Sequence, residues 1–197
     1  KWPLPTPVLR RNDWAGLVMP EIQGVIDTIE LDTLLKGKRF TLNADDDSIR
    51  AIEANWKNTF YKDLKHNNSY LDFRAVMEVG RLQNLMKLIT AGMRAKSFGG
   101  SHVKIASGDG ILEWIKANPF LLGPHYYSAM ECGLRIPVFV YALKTLDHLR
   151  NDDCKTVLDA IFQHAWWVSR RLSLFSSLGN HTVAECVGLI FAGAIFR

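Results

Sequence analysis

Apolar residues recur every three or four positions through most of this chain, and nowhere do they keep a sustained period of two. The first spacing lines one face of a helix and the second one face of a strand, so the chain is predicted to be all-α. Its 197 residues suffice for a domain with a real core. Hydrophobic residues at 48% and charged residues at 22% are ordinary globular composition, which excludes a disordered tail or a fibre. No uncharged apolar run reaches the roughly 20 residues that a membrane-spanning helix needs.

The helical segments follow one another closely. Residues 1–45 read as an extended and helical lead-in: three prolines within Lys1–Pro7, apolar residues at helical spacing from Trp14 to Ile29, and an extended connection at 36–42. Asp46, Asp47 or Ser48 caps a helix with Ile49, Ile52, Trp56, Phe60 and Leu64 on its apolar face. Asp72 opens another that carries Phe73, Val76, Met77, Leu82, Leu85, Met86, Ile89 and Met93. Residues 96–110, with Gly99, Gly100, Gly108 and Gly110, are predicted to be a loop. A short helix then carries Ile111, Leu112, Trp114 and Ile115 up to the stop at Asn118-Pro119.

The next predicted helix runs from about Pro124 to Leu149 and is kinked at Pro137. Asp152 or Asp153 caps the one after it, through Leu172. The last begins near Asn180, with Val183, Val187, Ile190, Phe191 and Ala194 inward and Ala184, Gly188, Ala192 and Gly193 allowing a close neighbour. Glu78 with Arg81 and Glu131 with Arg135, at spacings of three and four, are expected to be structural ion pairs or hydrogen-bond hubs near the inner rim. The chain stops at Arg197 inside an apolar helical run without a capping signal, which reads as a truncated domain spanning 46–197.

The remaining composition narrows the chemistry. A formal charge of +4 and a pI near 9.0 make a mild basic bias, without the concentrated stripe that marks a nucleic-acid partner. Cys132, Cys154 and Cys186 form no CxxC pair, which excludes a zinc ribbon or a thioredoxin-type site. The histidines have no metal-ligand spacing, and no glycine-rich phosphate loop is present. His125 and His181 stand out because each sits at a glycine-marked helix start. By residue type Asn180 is an N-cap, and the Asn180-His181 pair also offers an amide donor and an imidazole.

Three stretches resemble the heparinase II/III-type polysaccharide lyases. Met77-Glu78-Val79-Gly80-Arg81 is similar to that family's Trp-Glu-x-x-Arg helix, with Met77 in place of Trp. Trp114 to Asn118-Pro119, then Gly123-Pro124-His125-Tyr126-Tyr127-Ser128-Ala129-Met130-Glu131 and Arg135, resembles its Asn-Pro…Met-Glu…Arg helix entry. Here His125 and Tyr126 stand where Asn and Trp are common. The third is Gly179-Asn180-His181 with Ala184-Glu185 and the apolar run that follows. Together they cover about residues 70–197; residues 1–69 match only as generic helical lead-in.

The resemblance implies an incomplete α/α toroid of antiparallel helix hairpins, a periplasmic or secreted location, and an anionic, uronate-containing polysaccharide as partner. It implies β-elimination without cofactor or metal. Asn180 would neutralise the uronate carboxylate and His181 would act as base or second donor, with His125, Tyr126, Tyr127, Glu131 and Arg135 binding substrate. The family's catalytic Tyr and a further His lie after this junction, so weak or absent turnover is expected of these residues alone, the rest of the domain being a missing partner. Two other readings stay open. One is a non-catalytic carbohydrate-binding or scaffold domain. The other is a toroid glycoside hydrolase, with Glu78, Glu131 and Glu185 as its candidate carboxylates.

Overall fold

The computed structural model describes residues 9, 35, 46–64, 73–94, 99–145, 148–175 and 178–196. The expectations for the lead-in therefore fall outside the described residues, except that Leu9 is half-buried and Leu35 is helical and exposed. Seven α-helices follow: α1 Asp46–Trp56, α2 Phe73–Val79, α3 Gln83–Arg94, α4 Gly99–Ala117, α5 Ala129–Thr145, α6 Asn151–Ser169 and α7 Asn180–Ile195. Short 3₁₀ turns occupy Tyr61–Asp63 and Pro124–Tyr126. Among the described residues there is no strand, only an isolated bridge between Phe60 and Leu122. The all-α expectation holds at this level. None of these helices is long and apolar enough to cross a membrane.

Helix α5 is the centre of the core. Cys132, Ile136, Val138, Phe139, Val140, Tyr141, Ala142 and Leu143 are all buried along it, and the partly buried Met130, Leu134, Pro137 and Lys144 leave only a narrow stripe towards solvent. Helices α3, α4, α6 and α7 pack around it. The closest approach is to α7. A Cβ built on Gly188 would stand 2.6 Å from the Gly133 carbonyl oxygen and 2.7 Å from its Cα. Pro137 has no N–H to offer the Gly133 carbonyl four residues back, and the α7 backbone lies against that same carbonyl. The small-residue pattern in the last helix is thus matched by a glycine on its partner.

Several elements differ from expectation, each for a local reason. The single helix predicted from Asp72 to Met93 is two, broken at Gly80-Arg81-Leu82, where Leu82 takes φ 60°. A Cβ on Gly80 would fall 2.2 Å from His125 Nδ1, so the break brings backbone directly onto that ring. Of the predicted loop at 96–110, residues 96–98 lie outside the described residues and 99–110 are instead the first part of α4. Glycine costs a helix about 1 kcal/mol per residue relative to alanine. Here it also permits packing, since a Cβ on Gly110 would meet Leu85 Cδ2 of α3 at 2.7 Å.

The long helix expected from Pro124 begins as a 3₁₀ turn and becomes α-helical only at Ala129. Before α6 the cap position belongs to Arg150, whose backbone N–H donates to Asp153 Oδ2 at 3.0 Å, and not to Asp152 or Asp153. Helix α7 is turned about its axis relative to expectation. Glu185, Gly188, Ala192 and Ile195 face inward, while Val183 and Ile190 are 63% and 69% exposed. Cys132 and Cys154 are buried thiols and Cys186 is an exposed one.

Candidate functional site

The residues singled out by sequence gather at the start of α5. Backbone bonds from Gly123 N–H to Thr59 O at 2.8 Å and from Tyr61 N–H to Leu121 O at 3.0 Å lace the entry loop to the segment after α1. Pro124 then opens the turn that buries His125 and Tyr126. His125 Nε2 lies 3.3 Å from Glu53 Oε1, and its ring centroid is 5.5 Å from that of Trp114. Tyr126 donates its hydroxyl to the Asn118 carbonyl at 3.0 Å. Burial pushes its pKa far above the usual tyrosine value, against the opposing pull of Arg135, so the hydroxyl stays protonated.

Arg135 is fully buried and spends its donors in four directions. Nη1 donates to Gly80 O at 3.1 Å, Nη2 to His125 O and to Cys132 Sγ, and Nε to His164 Nε2 at 3.1 Å. Its Cζ lies 5.0 Å from the Trp114 ring centroid and 5.5 Å from that of Tyr126. Carbonyls, an imidazole and two ring faces therefore replace the water around this charge. His164, the acceptor for Arg135 Nε, is not among the histidines that stand out in the sequence. No local pattern marks it, because its partner is 29 positions away.

The tautomer of His164 follows from its contacts. Nδ1 lies 2.7 Å from the Ala160 carbonyl, which can only accept, so the proton sits on Nδ1 and Nε2 is left to accept from Arg135. Burial, then the neighbouring Arg135 charge, hold His164 well below its ordinary 6.5. The unfolded chain binds a proton there as pH falls, and the folded one does not. Stability from this site is accordingly full above about pH 6.5 and is lost progressively below it. The urea midpoint is expected to drop between about pH 7 and pH 5, and His164→Gln, which keeps an acceptor without a titrating group, should flatten that slope. A slope unchanged in His164→Gln would assign the acid sensitivity elsewhere.

Glu131 and Arg135 are the expected buried hydrogen-bond hubs, but neither intrahelical ion pair forms. Glu131 accepts two bonds from Arg81, Nε at 2.8 Å and Nη2 at 2.9 Å, across 50 positions of sequence. This bond raises the Arg81 pKa further, against partial burial. The two motifs thus exchange partners: Arg81 takes Glu131, and Arg135 takes the carbonyls of Gly80 and His125. Helix α7 closes the set from the other side. Glu185, fully buried, accepts from Ser173 N–H and Oγ at 2.7 Å each, and Thr182 Oγ1 donates to Ser173 O at 2.6 Å. Glu131 and Glu185 are both committed to internal hydrogen bonds, which weighs against a glycosidase carboxylate pair.

The structure joins His125, Tyr126 and Arg135 directly and ties Glu131 to them through Arg81 and helix α5. All four are within 2% of full burial, so a polymer reaches none of them without displacing protein. Tyr127 is 45% exposed. Asn180 is exposed and His181 half-buried at the start of α7. The cap of α7 is Gly179, and Asn180 is the first helical residue with no capping bond, so its amide points to solvent. Among the described residues no three His, Cys, Asp or Glu side chains gather as metal ligands would. No family model, characterised protein or solved structure matches the chain.

Proposed function

We propose that this chain is part of the α/α toroid of a heparinase II/III-like lyase that cleaves uronate-containing polysaccharide. The supporting observation is convergence. The three stretches that carry the resemblance, far apart in sequence, meet through Arg81–Glu131, Arg135 with the Gly80 and His125 carbonyls, and the Gly133–Gly188 crossing. In this reading the buried residues are the frame, and the chemistry belongs to the solvent-facing end of α7. His125, Tyr126, Glu131 and Arg135 hold the entry of α5 in place. Asn180 and His181 meet the sugar.

The chemistry asks for little more than this. The C5 proton of a uronate is α to a carboxylate and weakly acidic, so the carboxylate charge must be offset as the carbanion forms. The Asn180 amide would donate to the carboxylate oxygen on which that charge builds. His181 would take the C5 proton; the C5 electron pair then forms the C4–C5 double bond, the C4–O bond breaks, and an acid protonates the leaving oxygen. The burial of His125 and Tyr126 fits the scaffold form of the second reading, a helical domain without catalysis, since neither ring is open to a sugar.

Ultraviolet absorbance of the unsaturated product separates the two, assayed on glycosaminoglycan and alginate with the protein as its reading frame encodes it. Elimination is expected, falling on the order of a hundredfold or more in Asn180→Ala, an exposed position where the fold is unaffected. Glycan binding without an absorbance rise would select the scaffold reading. The absence of both would overturn the carbohydrate assignment.

A further inference from the structure

Between the C-terminal halves of α6 and α7 lies a cleft of about 380 Å³, within the range of small-molecule sites. Its walls are apolar: Phe162, Ala165, Leu189, Ala192 and Phe196, with the Phe162 and Phe196 rings edge to face at 5.5 Å. The polar groups are confined to one end, where Ser169 and Arg170 stand beside Trp166. Arg170 Cζ is 4.3 Å from the Trp166 ring centroid, and Nη1 is 3.4 Å from both Trp166 O and Ser169 Oγ. No carboxylate of the described residues pairs with Arg170, and no acidic residue lines the cleft.

The geometry points to a binding site for a small amphipathic carboxylate, its aliphatic or aromatic body between α6 and α7 and its charge on Arg170. The α6 C-terminus places about half a negative charge near that end, which the full charge of Arg170 exceeds. The Arg170 guanidinium offers the donors that a carboxylate uses, while Ser169 spends its hydroxyl proton on the Trp166 carbonyl at 2.9 Å. Each methylene buried against the apolar wall strengthens binding about fourfold. A Cβ built on Gly193, on the cleft wall, meets nothing within 4 Å, so the space above it is open to a ligand. This site is separate from the lyase reading and uses neither Asn180 nor His181.

Calorimetric titration with octanoate and its neutral counterpart octanamide tests the assignment. Octanoate should bind about tenfold tighter than octanamide, the difference being one charge-assisted hydrogen-bonded contact. Arg170→Gln should erase that preference and leave octanamide binding unchanged. Gly193→Leu, which grows into open space at an exposed position, should abolish binding of both. Circular dichroism on each variant confirms that the helices persist. Equal affinity for the two probes, retention of the preference in Arg170→Gln, undiminished binding in Gly193→Leu, or no binding by the unsubstituted protein would each overturn it.

Discussion

Arg135→Ala is expected to cost about 3–5 kcal/mol, a large share of the roughly 5–15 kcal/mol that holds a domain of this size together. The guanidinium is the sole donor in contact with three groups at once: the Gly80 and His125 carbonyls and His164 Nε2. Its loss leaves acceptors orphaned in a dry interior, at about 1–3 kcal/mol each, and opens a void between Trp114 and Tyr126. Relief from burying a charge offsets part of this. Arg135→Lys should recover little, because a single ammonium cannot serve acceptors spread across a planar fork. Urea denaturation measures both variants. A loss below about 1 kcal/mol for the alanine variant would show that water or rearranged side chains replace the guanidinium at little cost.

Gly188→Val is expected to be comparably severe, at about 3 kcal/mol or more, the upper end of overpacking penalties. The atoms it would strike are backbone, the carbonyl oxygen and Cα of Gly133, and backbone cannot turn aside as a flexible side chain can. Gly188→Ala should cost less, since alanine returns up to about 1 kcal/mol of helix propensity. Gly133→Ala meets Ala184 O at 2.8 Å, in the same crossing. The two alanine substitutions should therefore be non-additive. Once the first has pushed α5 and α7 apart, the second finds room, and the double variant should lose less than the sum. Additive losses would mean that each glycine is accommodated separately, without a shift of the helices.

What was legible in the sequence was local. The stop at Asn118-Pro119, the start of α7 near Asn180 and its small-residue pattern could all be read, because each depends on residues a turn apart. The inner face of α7 could not. There the larger residues Val183 and Ile190 point outward and the small ones inward, since close approach to Gly133 outweighs the burial of two aliphatic side chains. The first half of α4 was missed because glycine marks loops when judged alone, whereas Gly110 is there to admit Leu85. Of the site, the importance of Arg81, Glu131 and Arg135 was visible. Their partners were not, as spacings of three and four within a helix suggest neighbours that the fold replaces with residues 50 and 55 positions away.

The pairing of α3 with α4 bears on how the molecule breathes. Leu88 and Val103 form a small cluster of their own with Leu85 and Ala91, apart from the large cluster around α5. Contacts of Leu85 near Gly110 and of Leu88 near Val103 run the two helices antiparallel, and Met93 and Ile105 at their far ends are half-exposed. Ile89, Ile111 and Trp114 tie the near half of this hairpin to the large core, so the far half, held by the thin Leu88–Val103 seam, is the part with a low opening free energy. Amide protons of that far half then exchange through a local excursion that leaves Trp114 in place over Arg135. Exchange in α5 and α6 waits instead for the whole fold to come apart.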